Sequence, residues 1–91
     1  YAIQGSSISL NNATVTSSYG PSIYADGSDS KIIMIGGSAT AKRGSAALLT
    51  ENEGQIDATD VTLTTNGIGT GALALGESTI QLHGNTTINN T

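Results

Sequence analysis

Aliphatic residues spaced two apart recur through this chain about every two dozen residues, and this limits its fold more than any other feature. The segments Ser7-Ile8-Ser9-Leu10, Ile32-Ile33-Met34-Ile35, Gln55-Ile56-Asp57-Ala58 and Thr79-Ile80-Gln81-Leu82 all show it, with Ile8, Ile33, Ile56 and Ile80 taken as equivalent positions. Alternation of period two turns one face of an extended strand inward. Repetition at a fixed longer period marks a solenoid, in which each unit buries its apolar face against its neighbours.

Two further sets keep step with the first. Ala13-Thr14-Val15-Thr16, Ser38-Ala39-Thr40-Ala41, Val61-Thr62-Leu63-Thr64 and Thr86-Thr87-Ile88-Asn89 follow it across Asn11-Asn12, Gly36-Gly37, Thr59-Asp60 and the one-residue-longer His83-Gly84-Asn85. Asn and Gly tolerate the left-handed backbone that a sharp corner needs. The third set is Ile23-Tyr24-Ala25, Ala47-Leu48-Leu49 and Gly71-Ala72-Leu73-Ala74-Leu75, with Ala25, Leu49 and Leu73 taken as equivalents one period apart. Glycine-rich flanks permit slippage in this register. Tyr1-Ala2-Ile3 opens the chain in the same set, three periods before Leu73-Ala74-Leu75.

These spacings predict an all-β chain: a right-handed parallel β-helix with about 24 residues and three short strands per rung. Residues 1–91 form a single partial β-helix of roughly three and a half rungs, read as a fragment of a longer protein because capping repeats are not evident. The expected inward residues are Ile8, Leu10, Val15, Ile33, Ile35, Ile56, Leu63, Leu73, Ile80, Leu82 and Ile88. A chain with no Phe, no Trp and three Tyr lacks the bulky side chains of an ordinary small core, whereas stacked aliphatics and backbone ladders need none. Frequent Gly and β-branched residues, with no sustained helical period, argue against helix.

The chemistry open to the chain is narrow. Three basic residues against seven acids give a net charge of −4, with no basic patch to hold nucleic acid. No cysteine is available for disulfides or thiolate metal sites. No apolar run exceeds four residues, as in Ile32 to Ile35, far short of the ~20 residues of a membrane helix.

The run Ile56-Asp57-Ala58-Thr59-Asp60-Val61-Thr62-Leu63-Thr64-Thr65-Asn66-Gly67, followed by Gly71-Ala72-Leu73-Ala74, resembles the degenerate rungs of pertactin-like autotransporter passenger domains. The resemblance covers most of the chain; phage tailspikes and other secreted β-helices share the motif. It implies a passenger exported to the bacterial surface, acting in adhesion or host-receptor contact as a virulence factor and followed in the full protein by a membrane β-barrel. It carries no catalytic motif onto any residue here, and no cofactor is expected.

Residues of possible chemical interest are few. His83 stands at a predicted corner beside Gly84 and reads as an exposed turn residue rather than part of a nucleophile triad. Asp57 and Asp60 are close in sequence, as a carbohydrate-active β-helix enzyme would need of paired carboxylates, but only Asp57 falls within a strand. Asp26, Asp29, Glu51, Glu53 and Glu77 form a rough column between the third and first strands of successive rungs; they match no calcium-loop spacing and read as a solvated edge. Lys42 and Arg43 are the only basic pair. Together with Glu51 and Glu53 they are the residues expected to touch a partner such as a host surface protein. Thr14, Thr16, Thr62 and Thr64 should point outward, but Ala39 and Ala41 take the same place in the second rung. The hydroxyl ladder therefore reads as broken, and an ice-binding surface is not expected. Asn12-Ala13-Thr14, Asn85-Thr86-Thr87 and Asn89-Asn90-Thr91 match glycosylation sequons by pattern alone.

Overall fold

Every strand pairing in the computed structural model of the chain, which describes residues 1–43, 45–66 and 69–90, is parallel, and no described residue is helical. Gly67 of the passenger-like run and Thr91 of the last sequon lie outside the described residues. The strands are β1 (Ala2–Ile3), β2 (Ser7–Ser17), β3 (Ile23–Asp26), β4 (Lys31–Ala41), β5 (Ala46–Glu51), β6 (Gln55–Thr59), β7 (Thr62–Thr65), β8 (Thr70–Ala74), β9 (Thr79–His83) and β10 (Thr87–Asn90). They stack as a β-solenoid of about 4 turns with coils about 24 residues apart. No described helix is long and apolar enough to cross a membrane.

Sheet A holds the third set in the order β1-β3-β5-β8; sheet B holds the first and second sets together. The expected three strands per coil thus become two in the early coils. β2 and β4 each run for 11 residues through a bend, whereas later coils split at the same place into β6 and β7, then β9 and β10. The bend is where left-handed backbone was expected: φ is positive at Asn12, Gly36, Gly37, Asp60 and Gly84. Gly37 has a second reason to be glycine, since a Cβ there would strike the backbone of Ala13 in the coil below.

Stacking sets like against like. Ile8, Ile32, Ile56 and Ile80 form one inward column, Leu10, Met34, Ala58 and Leu82 a second, and Val15, Ala39, Leu63 and Ile88 a third. The bulk alternates between faces. Met34 shares its coil with Ala39, and Ala58 shares the next with Leu63, so neighbouring coils interlock without large aromatics; all four are fully buried. From sheet A, Ile23, Leu48 and Ala25 complete the core.

Three expected core residues face outward instead. Ile33 and Ile35 lie on the outer face of β4, Ile35 with 51% of its surface exposed, while Ile32 and Met34 are buried. The cause is Lys31, which shares the parity of Ile33 and Ile35. Turning those two inward would bury an ammonium group, at a far greater free-energy cost than exposing an isoleucine. Outside, Lys31 Nζ meets Asp57 Oδ2 at 3.4 Å. Leu73 is the third correction. Sheet A takes one residue more between Tyr24 and Leu49 than between Leu49 and Leu73, so Ala25 pairs with Thr50 and Leu73 joins the outward column. Leu82 and Ile88 keep their inward parity in the last coil with 39% and 49% exposure.

These parities make a direct prediction. Ile32→Ala should destabilise the fold by about 2–5 kcal/mol, whereas Ile35→Thr should stay within about 0.5 kcal/mol. Urea unfolding of the two variants checks it, and equal costs would refute the register.

Candidate functional site: the outer face of sheet A

The register of sheet A assembles an apolar ladder on its outside. Tyr24, Leu49 and Leu73 are paired equivalents, and Tyr1 precedes the paired Ala2 and Ala25 as Tyr24 does. The Tyr1 and Tyr24 rings stack with centroids 4.6 Å apart and planes 17° from parallel, a contact worth about 0.5–1.5 kcal/mol beyond its area. Beside it runs a second outward column of Ile3, Asp26, Glu51 and Leu75. Tyr1, Ile3, Leu73 and Leu75 are exposed, and Tyr24 and Leu49 are half-buried.

The two corners bounding this face carry opposite charge. Lys42 and Arg43 lie on the side where the chain enters β5, both exposed. The Arg43 guanidinium stands 4.6 Å from the ring centroid of Tyr19, in the coil below. At an exposed site such a cation–π contact is worth about 0.5–1 kcal/mol. On the leaving side, Asp29, Glu53 and Glu77 take equivalent corner positions with φ of 63°, 71° and 60°, the position Gly5 fills in the first coil at 83°. A left-handed turn throws these side chains outward. The corner is fixed beneath them by hydroxyls: Ser6 Oγ donates to the Ile3 carbonyl at 2.7 Å, Ser30 Oγ to that of Asp26 at 2.8 Å and Ser78 Oγ to that of Leu75 at 2.6 Å. Gly54 takes the fourth such position, where a Cβ would press on the Ala25 carbonyl.

The expected partner contacts are therefore divided. Lys42 and Arg43 lie at one end of β5 and Glu51 and Glu53 at the other, and the only ion pair among the described residues joins Lys31 to Asp57. Glu53 accepts a hydrogen bond from Ser28 Oγ at 3.1 Å, and Asp26 accepts one from Asn52 Nδ2 at 2.8 Å. Glu51 faces Tyr24. Burial, the charges of Asp26 and Glu51, and a hydrogen bond to the Glu51 carboxylate push the Tyr24 hydroxyl up to about 12. A cleft of about 730 Å³ opens against this corner, lined by Tyr1, Gln4, Asp26, Ser28 and Asn52 among others.

The remaining candidates have structural roles. Asp57 pairs with Lys31, while Asp60, at φ 55°, accepts the Asn85 backbone N–H at 2.7 Å and so builds the bend. His83 is an exposed strand end whose carbonyl accepts the Asp60 N–H. Among the described residues, no three of His, Asp and Glu converge as a metal site would require.

Sheet B overturns one further expectation. Ala39 and Ala41 point inward, so Ser38 and Thr40 take the outer places in the second coil. The outward columns run Thr14, Ser38, Thr62, Thr87 and Thr16, Thr40, Thr64, Asn89, and the hydroxyl ladder is continuous up to its last member. Neither the apolar ladder on sheet A nor the continuity of this one was recognised from sequence. The longer step after Tyr24 and the parity of Lys31 were the signals that would have revealed them.

No family model, curated protein or solved structure matches this chain. Its fold therefore rests on its own geometry.

The raised Tyr24 hydroxyl has a consequence for stability. A folded-state value near 12 against an unfolded value near 10 means that folding favours the protonated phenol. This contribution is complete below pH 10 and is lost as pH rises toward 12. Tyr24→Phe keeps the ring stack and lacks the proton, so its stability should fall less than that of the wild-type chain between those limits. Denaturant unfolding at both ends of the range tests this, and identical losses would rule out Tyr24 as the source.

Proposed function

We propose that the chain is a segment of a secreted or cell-surface bacterial β-helix of the autotransporter passenger kind, acting in adhesion or host-receptor binding. The observation that supports this reading best is the outer face of sheet A: an exposed apolar ladder beside a Tyr19–Arg43 pair, on a rigid stack of coils. Tyr and Arg are enriched in binding hot spots, Tyr for its large, rigid contact area and Arg for its planar, multiply donating guanidinium. The largest contiguous exposed apolar patch on a soluble protein is often a functional contact surface. The resemblance of the rung pattern to passenger domains supplies the bacterial surface setting.

In the intact protein, Tyr19→Ala together with Lys42→Ala and Arg43→Ala should lower host-cell binding by at least about tenfold. Thr14→Ala on sheet B should leave it unchanged. Binding unaffected by the triple change would make this segment a spacer between other modules.

A second reading attaches to the continuous ladder of sheet B. Seven hydroxyls in two columns, at ~4.8 Å between coils and ~6.7 Å along each strand, form a lattice without charged side chains. Such a surface suits an ordered water layer and, through it, ice. Thermal hysteresis of the purified chain, abolished by Thr62→Tyr at the centre of the lattice, is the expected result; freezing with no hysteresis would dispose of it.

A further inference from the structure

We propose that the outer face of sheet A pairs with the same face of a second copy, the two coil axes running parallel about a two-fold axis. This deepens the reading of sheet A as a contact face and rests on it; it does not depend on the partner being a host cell.

The charge layout selects the partner and its orientation. Along β5 the order is cationic corner, apolar ladder, anionic corner: Lys42 and Arg43, then Leu49, then Glu51 and Glu53 within one coil. Asp26 and Glu77 extend the anionic side to the coils below and above. Among the described residues the only ion pair is Lys31–Asp57, so Lys42 and Arg43 bring unspent positive charge to the rim of an apolar strip.

Two copies laid face to face about a two-fold along the strands would place bases on bases and acids on acids. A two-fold along the coil axis places each Lys42–Arg43 corner opposite the partner's Glu51 and Glu53 at the same level of the stack, twice over, with the partner's Asp26 one coil below. Like-charge juxtaposition excludes the first arrangement, and opposite charge at both rims favours the second. In that arrangement each ladder residue also meets its own equivalent, as an isologous interface requires. Tyr24 lies across from Tyr24, Leu49 from Leu49 and Leu73 from Leu73.

The face is small. Four strands at ~4.8 Å and five residues at ~3.3 Å give a flat area of roughly 300 Å². That is well under the ~800 Å² per partner of a standard interface, so the pairing is weak and reversible. It differs from stacking through the strand edges of the first and last coils, which adds copies end to end and does not close.

Sedimentation equilibrium of the full chain should show a monomer–dimer equilibrium with a dissociation constant of about 0.1–1 mM. Leu49→Lys should weaken it at least tenfold, as should Lys42→Glu with Arg43→Glu. Adding Asp26→Lys and Glu51→Lys to the latter pair should restore it, with circular dichroism confirming that each variant keeps its strands. Because the chain contains no cysteine, Leu73→Cys gives an independent readout of geometry: facing sheets lie ~10 Å apart, too far for a disulfide, so a bis-maleimide of about that span should give a covalent 73–73 dimer. A chain that stays monomeric at the top of that concentration range, a dimer indifferent to Leu49→Lys, open-ended filaments, or no 73–73 cross-link would each overturn the proposal. Host-cell binding is a separate measurement, so its loss with dimerisation intact would sink the adhesion reading and leave this one standing.

Discussion

The structure depends on one constraint: each coil must present to the next an inward set of side chains in the same register as its backbone ladder. In a parallel stack, the hydrogen bonds that join coil to coil also fix which side chain lies over which. A shift of one residue would turn a whole strand inside out. The Ile8–Ile32–Ile56–Ile80 column satisfies both demands with a constant step, and the rest of the chain is arranged around it. Insertions are absorbed outside that column. The extra residue at His83-Gly84-Asn85 falls in the bend, and the longer step of sheet A falls in the corner that enters it.

Bends and corners carry the conformational strain so that the strands need not. Among the described residues, eight that are not glycine have positive φ, and all lie at bends or corners. Most are Asn, Asp or Glu, side chains that either tolerate left-handed backbone or remain solvated when forced into it. Backbone geometry and charge placement are thus linked. The residues that turn the chain also carry most of its acids, while the strands of sheet B keep an uncharged outer face beyond the bend.

The fold was legible in the sequence because periodicity survives without bulky residues. The period, the parallel stacking, the corner residues and most inward columns followed from alternation and spacing alone. What was not legible was parity where both faces are apolar. Ile32-Ile33-Met34-Ile35 satisfies either alternation, and only Lys31 beside it breaks the tie. Choosing Ile33 over Ile32 carried no penalty in the pattern itself. In sheet A the ambiguity was one of step rather than parity, since Ala47-Leu48-Leu49 aligns with Ile23-Tyr24-Ala25 either directly or shifted by a single position. The candidate site lies on the outside of the strands where these choices were closest. Its apolar ladder was obscured because Leu73 reads as core, and the same kind of ambiguity in Ser38-Ala39-Thr40-Ala41 concealed the continuity of the hydroxyl ladder.

The stacking in sheet A explains how one chain tolerates an outward ladder of aromatic and aliphatic residues. Stacking along the coil axis buries each ladder member against the one below, as Tyr1 covers Tyr24, so Tyr24 and Leu49 are already half-shielded before any partner arrives. The buried fraction serves the fold, and the exposed fraction is what the proposed pairing would use. Glu51 couples the two. Its charge favours the protonated Tyr24 hydroxyl within the same face, while the stack on Tyr1 orders the ring. A surface pre-ordered in this way loses little rotamer entropy on binding, which lets a face of modest area support specific contact.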